Sequence, residues 1–503
     1  MNRFWQLIEC HHLECHRLGL TAVFVAFLLG VPSAAAQQRP LTKLDGSTMT
    51  PAQIDATVAE LLQAAHVTGA GIAIFHDGKI AHLKAYGMRD REKAMPLTPD
   101  SVMTAASLTK AAFATVVMEL VKAGTLNLDK PIGKYLPKPL PQYPAYADLN
   151  GDDRYKKLTL RMLLSHTSGF ANWRAFEETR KLSIHFEPGT RYAYSGEGIL
   201  LAQLVVEAAT GRPLTELMRE RLYGPLRMTR TSMVWEPRFE GDFANGYDEH
   251  ELSLGPEKRT KANAAGSMQT TLRDYAAFLS PLMRGRVLDS EMSAAMLQHQ
   301  VSIHSARQFP SLAEETTAAN DGIQLGYGLG WGVYASPFGD AFFKEGHDEG
   351  WRHLALCFKN GSGILIMTNS SNGEGIFRPL IESLLGRTEF PFDWENYTPY
   401  NLLPPLPRLK EHKKASLSQD QLEKLTGKYA LSDDLVMTVT AENGRLFVQE
   451  DDEPKQEFLP ENTTDFYSTS SSDECSFRIG TGLSAQALIL HLDGKDVELT
   501  RVK

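Results

Sequence analysis

The chain has 503 residues, a formal net charge of −9, 42% hydrophobic residues and 22% charged residues. That length accommodates more than one domain, and the composition is that of a globular protein able to bury a large core. The acidic balance and the lack of a basic block exclude nucleic acid as an expected partner.

The first segment is read as a targeting signal. The apolar run LGLTAVFVAFLLGV, Leu18 to Val31, is short for a membrane span. It is followed by small residues with an A-x-A pattern at Ala34 and Ala36. This predicts a secretory signal over 1–36, cleaved after Ala36, and a periplasmic or secreted protein with no stable membrane insertion after cleavage. The alternative is an uncleaved anchor. Cys10 and Cys15 fall in the signal, which leaves Cys357 and Cys475 either to pair or simply to pack.

From residue 52, AQIDATVAELLQAAHV reads as an amphipathic helix. GAGIAIFHDGKIAHLKAYG then reads as two strands around a turn at Asp77-Gly78. A mostly helical stretch runs to about residue 285. Strands return between Gly326 and Ser371 in YGLGWGVY, AFFKEG, RHLALCF and GILIMTNS, and IFRPLIESLL closes with a helix. Strands from both ends and helices from the middle predict an α+β domain: an antiparallel sheet flanked by helices, with an inserted helical lobe. LLPPLPRL and the polar residues after it read as a linker over 401–418. Beyond it, alternating runs with turns at Asn443-Gly444 and Asp493-Gly494 predict a small antiparallel β-barrel over 419–503, after a main domain over 37–400.

The segment AASLTKAAFATVVM, residues 105–118, places Ser107 and Lys110 one turn apart on one helix face. A hydroxyl needs a base to become nucleophilic, and a desolvated lysine can supply one. Alone, S-x-x-K equally describes a capped helix with a snorkelling lysine. Two distant stretches accompany it: GTRYAYSGEG around Tyr194-Ser195-Gly196, and KEGHDEGW from Lys344.

In this order the three stretches resemble the active-site motifs of the serine β-lactamase and penicillin-binding protein superfamily, in the branch of class C β-lactamases, DD-peptidases and family VIII esterases. LLSHTSGF, PLRMTRTSM, AAGSMQTTLRDYAAFL and GYGLGWGVY extend the resemblance across roughly 50–390. The resemblance implies that Ser107 is acylated, that Lys110 keeps it deprotonatable, and that Tyr194 shuttles a proton to the leaving group. It further implies that Lys344, Gly346 and His347 form the substrate-binding strand, with the backbone N–H groups of Ser107 and His347 as oxyanion hole. Two lysines beside one phenol are expected to favour its phenolate.

Two departures stand out. The family's Y-x-N becomes Tyr194-Ser195-Gly196, and the threonine of K-T-G becomes Glu345. A carboxylate there repels an anionic substrate unless it points away or pairs with Lys344. The expected activity is therefore exported serine hydrolysis of a small ester, amide or peptide, with no cofactor and no metal. The alternatives are a true β-lactamase or D-Ala-D-Ala carboxypeptidase, and a non-catalytic ligand-binding module. His166 is read as a turn histidine. His347, Asp348, Glu349 and His353 are read as rim residues rather than metal ligands, with Glu349 a substrate contact.

Overall fold

The computed structural model describes residues 40–502, apart from 407–409, 433–434, 451–454, 469–472, 481–483 and 493–494. The expected signal, the Asp493-Gly494 turn and part of the expected linker lie outside the described residues.

The chain enters through α1 (Pro51–Ala64), started by a capping box between Thr50 and Gln53, with Pro51 at the first position. Ile54, Val58 and Leu62 form its buried stripe. A hairpin follows, β1 (Gly69–His76) and β2 (Lys79–Asp90), and then the short β3 (Met95–Pro96). Helix α2 (Leu108–Lys122) opens the helical lobe, which includes α3 (Gly196–Thr210) and α4 (Leu272–Met283). The chain returns to the sheet through β4 (Val301–Ser302), β5 (Gly326–Tyr327), β6 (Gly332–Ser336), β7 (Gly339–Asp348), β8 (Trp351–Phe358) and β9 (Gly363–Thr368), and α5 (Phe377–Leu384) follows.

These strands form one antiparallel nine-stranded sheet, ordered β4-β5-β6-β7-β8-β9-β1-β2-β3. The N-terminal hairpin joins the later strands where β9 pairs with β1, Ile366 opposite Ile72. The central strands read as unbroken apolar runs because both faces are covered. Ile72, Ile74, Leu354, Leu356, Ile364 and Ile366 pack on one face with α1 and α5. Their neighbours Ala73, Phe75, Ala355, Cys357, Leu365 and Met367 pack on the other with α2 and α4. Helix α2 lies between sheet and lobe and is buried on nearly every side, which explains why its sequence lacks a polar stripe.

A closed barrel of eight antiparallel strands ends the chain: β10 (Gly427–Ser432), β11 (Leu435–Glu442), β12 (Arg445–Glu450), β13 (Gln456–Pro460), β14 (Asp465–Ser468), β15 (Glu474–Ile479), β16 (Ala485–Leu492) and β17 (Lys495–Val502). Asn443 and Gly444 both have positive φ, 54° and 75°, as a two-residue hairpin turn requires. Strand β13 was not anticipated, because only Phe458 of its five residues is buried. Cys357 and Cys475 are both free and buried, one in the sheet and one in the barrel. No helix among the described residues is long and apolar enough to cross a membrane.

Candidate active site

Ser107 occupies the N-cap of α2 in a helical conformation and makes no capping hydrogen bond with its side chain. Its hydroxyl is thereby left to the cleft. Ala106, just before it, takes the left-handed conformation with φ 46°, a strained setting for a residue with a Cβ. One turn on, Lys110 is 1% exposed. It donates to Ser107 Oγ at 2.9 Å and to the Ala265 carbonyl oxygen at 2.6 Å. Burial, with Lys344 nearby, holds its ammonium well below the usual lysine range.

Tyr194 arrives on the segment before α3. Its hydroxyl accepts from Lys344 Nζ at 3.1 Å. Lys110 and Lys344 both lie over its ring, 5.0 and 4.7 Å from the centroid. The phenolate expected from two lysines is not what these surroundings favour. Burial, then the Glu345 carboxyl, push the phenol well above its ordinary value. Burial also holds Lys344 below its own. The site thus combines an amine readily deprotonated with a phenol that keeps its proton.

Lys344 lies in β7, where pairing with β6 has ended at Gly332 opposite Phe343, so residues 344–348 have no strand partner on that side among the described residues. Glu345 pairs with Lys344. Of the two possibilities left open by the sequence, the carboxylate compensates its neighbouring lysine. At Gly346 a Cβ would come within 2.8 Å of the Ala105 carbonyl oxygen, so only glycine lets β7 lie this close to the turn before Ser107. His353, on β8 opposite Gly346, ties that strand to the same turn through Nε2 and the Thr104 carbonyl oxygen, 2.7 Å apart, while its Nδ1 accepts from Thr368 N–H. Burial keeps this imidazole neutral, its pKa pushed down to about 4. His347 meets Glu374 at 2.7 Å, and Asp348 accepts from Arg259 at 2.8 Å. Among the described residues no cluster is suited to hold a metal ion.

His166 is fully buried. Its Nδ1 accepts from Ser195 N–H at 3.1 Å, and its ring lies 4.4 Å from that of Tyr194. It positions the tyrosine segment and lies beneath it, as a turn histidine does.

The space left by Gly196 is filled from another segment. A Cβ at 196 would lie 2.3 Å from Trp173 Cη2. The indole therefore occupies the volume a larger residue would need. Asn172 accepts from Gly196 N–H through Oδ1 at 3.0 Å and lines the cleft. Arg174 clamps the same loop to α3 by three hydrogen bonds to Glu197, from its backbone N–H at 3.0 Å and its guanidinium at 2.9 and 2.7 Å. Sequence reasoning missed Asn172 and Trp173. The one available signal was the missing side chain at Gly196, whose space something had to fill.

Ser107, Lys110, Tyr194, Glu345 and His347 line one cleft of about 650 Å³, with Trp173, Phe176 and Phe309 on its rim. Arg259, Asp348 and Glu349 continue into a groove of about 440 Å³ whose opposite wall, including Phe458 and Asp473, belongs to the barrel.

Fold and site together define a mixed α/β protein with a serine, a buried lysine and a tyrosine brought to one cleft beside a sheet strand. The chain belongs to the Beta-lactamase family of serine hydrolases, whose model matches residues 54–384. Residues 411–501 match a domain of unknown function, DUF3471. The chain is 24% identical over 480 residues to Penicillin-binding protein 4* of Bacillus subtilis (strain 168), covering 89% of this chain and 98% of that one. It is 27% identical over 352 residues to Penicillin-binding protein 4 of Amycolatopsis lactamdurans, covering 64% and 86%. Similar folds occur in the octameric penicillin-binding protein homologue from Pyrococcus abyssi (TM-score 0.56, 18% identity, 90% of this chain and 100% of that one). They occur also in D-alanine carboxypeptidase AmpC from Burkholderia cenocepacia (TM-score 0.52, 20% identity, 66% and 98%).

Proposed function

We propose that this protein hydrolyses an ester or amide bond of a small molecule or peptide through an acyl-enzyme on Ser107. The observation that carries this reading is the 2.9 Å contact between Ser107 Oγ and a fully buried Lys110. As a neutral amine, Lys110 has a lone pair at that distance to accept the hydroxyl proton. Ser107 Oγ attacks the substrate carbonyl, and the backbone N–H groups of Ser107 and His347 receive the oxyanion. Tyr194, held as a phenol, donates its proton to the leaving group and regains one from Lys110. Water then enters as the second nucleophile and releases the acid. A base whose surroundings favour loss of its proton, next to an acid whose surroundings favour keeping it, is the arrangement that general acid–base chemistry needs.

The pairing of Glu345 with Lys344 removes the free positive charge that a substrate carboxylate would seek. Asn172, beside Gly196, takes over the amide contact that the tyrosine motif lacks. The substrate class this supports is esters and amides without a terminal carboxylate at that subsite, in preference to β-lactams and D-Ala-D-Ala ends.

The test is hydrolysis of p-nitrophenyl butyrate by the wild type and Ser107→Ala, with a chromogenic cephalosporin alongside and mass spectrometry of the quenched enzyme. Ester turnover, an acyl adduct on Ser107, loss of both in Ser107→Ala and slower cephalosporin turnover are expected. Full activity in Ser107→Ala would overturn the assignment. We also propose export by the 1–36 signal, followed by a hydrolase domain over 37–400, a linker over 401–418 and a barrel domain over 419–503. N-terminal sequencing of the exported protein is expected to begin at Gln37.

A further inference from the structure

The acyl-transfer scheme leaves one part of the cleft without a task. Glu395, in the segment DWENY after α5, lines the cleft of Ser107 and is 6% exposed. Neither oxygen of its carboxyl group makes a hydrogen bond of good geometry, and the Tyr397 hydroxyl, which also lines the cleft, is the neighbour that interacts with it. Glu345, also lining the cleft and 4% exposed, engages Lys344 with Oε1, while its buried Oε2 has no partner. Three carboxyl oxygens thus lie buried at one cavity without a well-formed hydrogen bond. The cations nearby are already engaged: Lys344 with Glu345, and Arg259 with Asp348.

Burying an unpaired carboxylate is costly, and the group responds by holding its proton. Burial and the Glu345 carboxyl do push Glu395 well above the usual carboxylate range, against the attraction of Lys344. Such a group ionises without that penalty only when a cation arrives with N–H donors for its oxygens. The acids Asp348, Glu349 and Glu374 also line the cleft, Asp348 paired with Arg259 and Glu374 with His347 and Arg352.

We propose that the substrate carries a protonated amine or guanidinium, and that Glu395, with the free oxygen of Glu345, receives it while Ser107 attacks the carbonyl. This inference rests on the reading of Ser107 as the acylated nucleophile. Its internal competitors are the Tyr397 hydroxyl and Gln308, 3% exposed, whose side-chain amide nitrogen has no partner of good geometry at the cleft and whose backbone N–H is bonded to the Trp394 carbonyl oxygen. If these groups satisfy Glu395, no cation is needed.

The experiment compares p-nitrophenyl 6-aminohexanoate with p-nitrophenyl heptanoate, which differ only in a terminal ammonium or methyl group. In the wild type the amino ester is expected to have kcat/KM at least tenfold higher at low ionic strength, mainly through KM. In Glu395→Gln that ratio should collapse toward one. A wild-type ratio of one or less, with heptanoate hydrolysis still dependent on Ser107, overturns the cation site and leaves the proposed function standing. An unchanged high ratio in Glu395→Gln overturns the role of Glu395. If neither ester reacts and Ser107 is not acylated, both readings fall. Should Glu395→Gln not fold, inhibition of wild-type ester hydrolysis decides: n-hexylammonium is expected to bind at least tenfold tighter than 1-hexanol, and equal binding overturns the proposal.

Discussion

A serine at a helix N-cap ordinarily accepts a hydrogen bond from the first turn. Ser107 does not, because its backbone is already helical and Ala106 takes up the turn with φ 46°. The hydroxyl is released to Lys110, and in the proposed mechanism the buried lysine is the group whose protonation governs the rate. The sign follows from its direction of shift. Lys110 acts as a base only when neutral and holds its proton less firmly than an exposed lysine, so kcat/KM should rise with pH along a limb below the usual lysine range. Tyr194 must stay protonated and does so above the ordinary phenol value, so the alkaline fall comes late. Lys110→Arg keeps a permanent charge and supplies no base. It should lower kcat about 10²–10⁴-fold and abolish the acid limb. A pH–rate profile of both proteins checks this.

At the scale of elements, the site depends on segments that brace one another. The loop bearing Asn172, Trp173 and Arg174 is bonded to the start of α3 at Gly196 and Glu197, and Trp173 fills the space above Gly196. Gly196→Asn should therefore expel the indole and lower kcat/KM by roughly tenfold or more, since small misplacements at a reacting centre are costly. Pairing it with Trp173→Gly should recover most of the loss, a non-additivity that steady-state kinetics on the four proteins would reveal. The sheet was legible because Ile72–Phe75 and Ile364–Met367 carry apolar side chains toward two covered faces, whereas its order of strands follows from pairings between distant segments that the sequence does not record. Ser107, Lys110, Tyr194 and Lys344 were legible as motif residues, and the structure brings all four together. Asn172, Trp173 and Glu395 were not. Their positions follow from loop paths, and no periodicity in FANWRAF or DWENY records where such a path ends.

At the scale of the molecule, barrel and hydrolase domain meet beside the cleft, where Glu349 faces Asp473 across the groove. Although the Glu349 side chain reaches solvent, the protein packed around it, and then the charges of Asp473, Glu249 and Asp348, push its pKa up to about 7. A carboxyl group whose folded pKa lies above its unfolded value binds more protons in the folded state. Its contribution is full below the ordinary glutamate range and is lost as pH rises through about 7. Thermal melts from pH 5 to 8 should show Tm falling over that window, and Glu349→Gln should flatten the slope while raising Tm at pH 8. An unchanged slope would show that Glu349 is not held above the ordinary glutamate range.

The described sheets also differ in what they offer to a neighbouring chain. The barrel closes on itself through β10 and β17, and the nine-stranded sheet ends at strands of two residues each, Val301–Ser302 and Met95–Pro96. Pro96 has no N–H to donate. A foreign strand finds its ladder one strand further in: the two-residue β3 covers β2 only at Met88 and Asp90, so Lys79–Tyr86 of β2 have no strand partner on that side among the described residues, an open edge of the kind by which β-rich proteins recruit one another. Lys79, His82 and Lys84 stand on that strand, so the guard against templated self-association at high concentration is polar and charged side chains on the open edge rather than the shortness of the outermost strand.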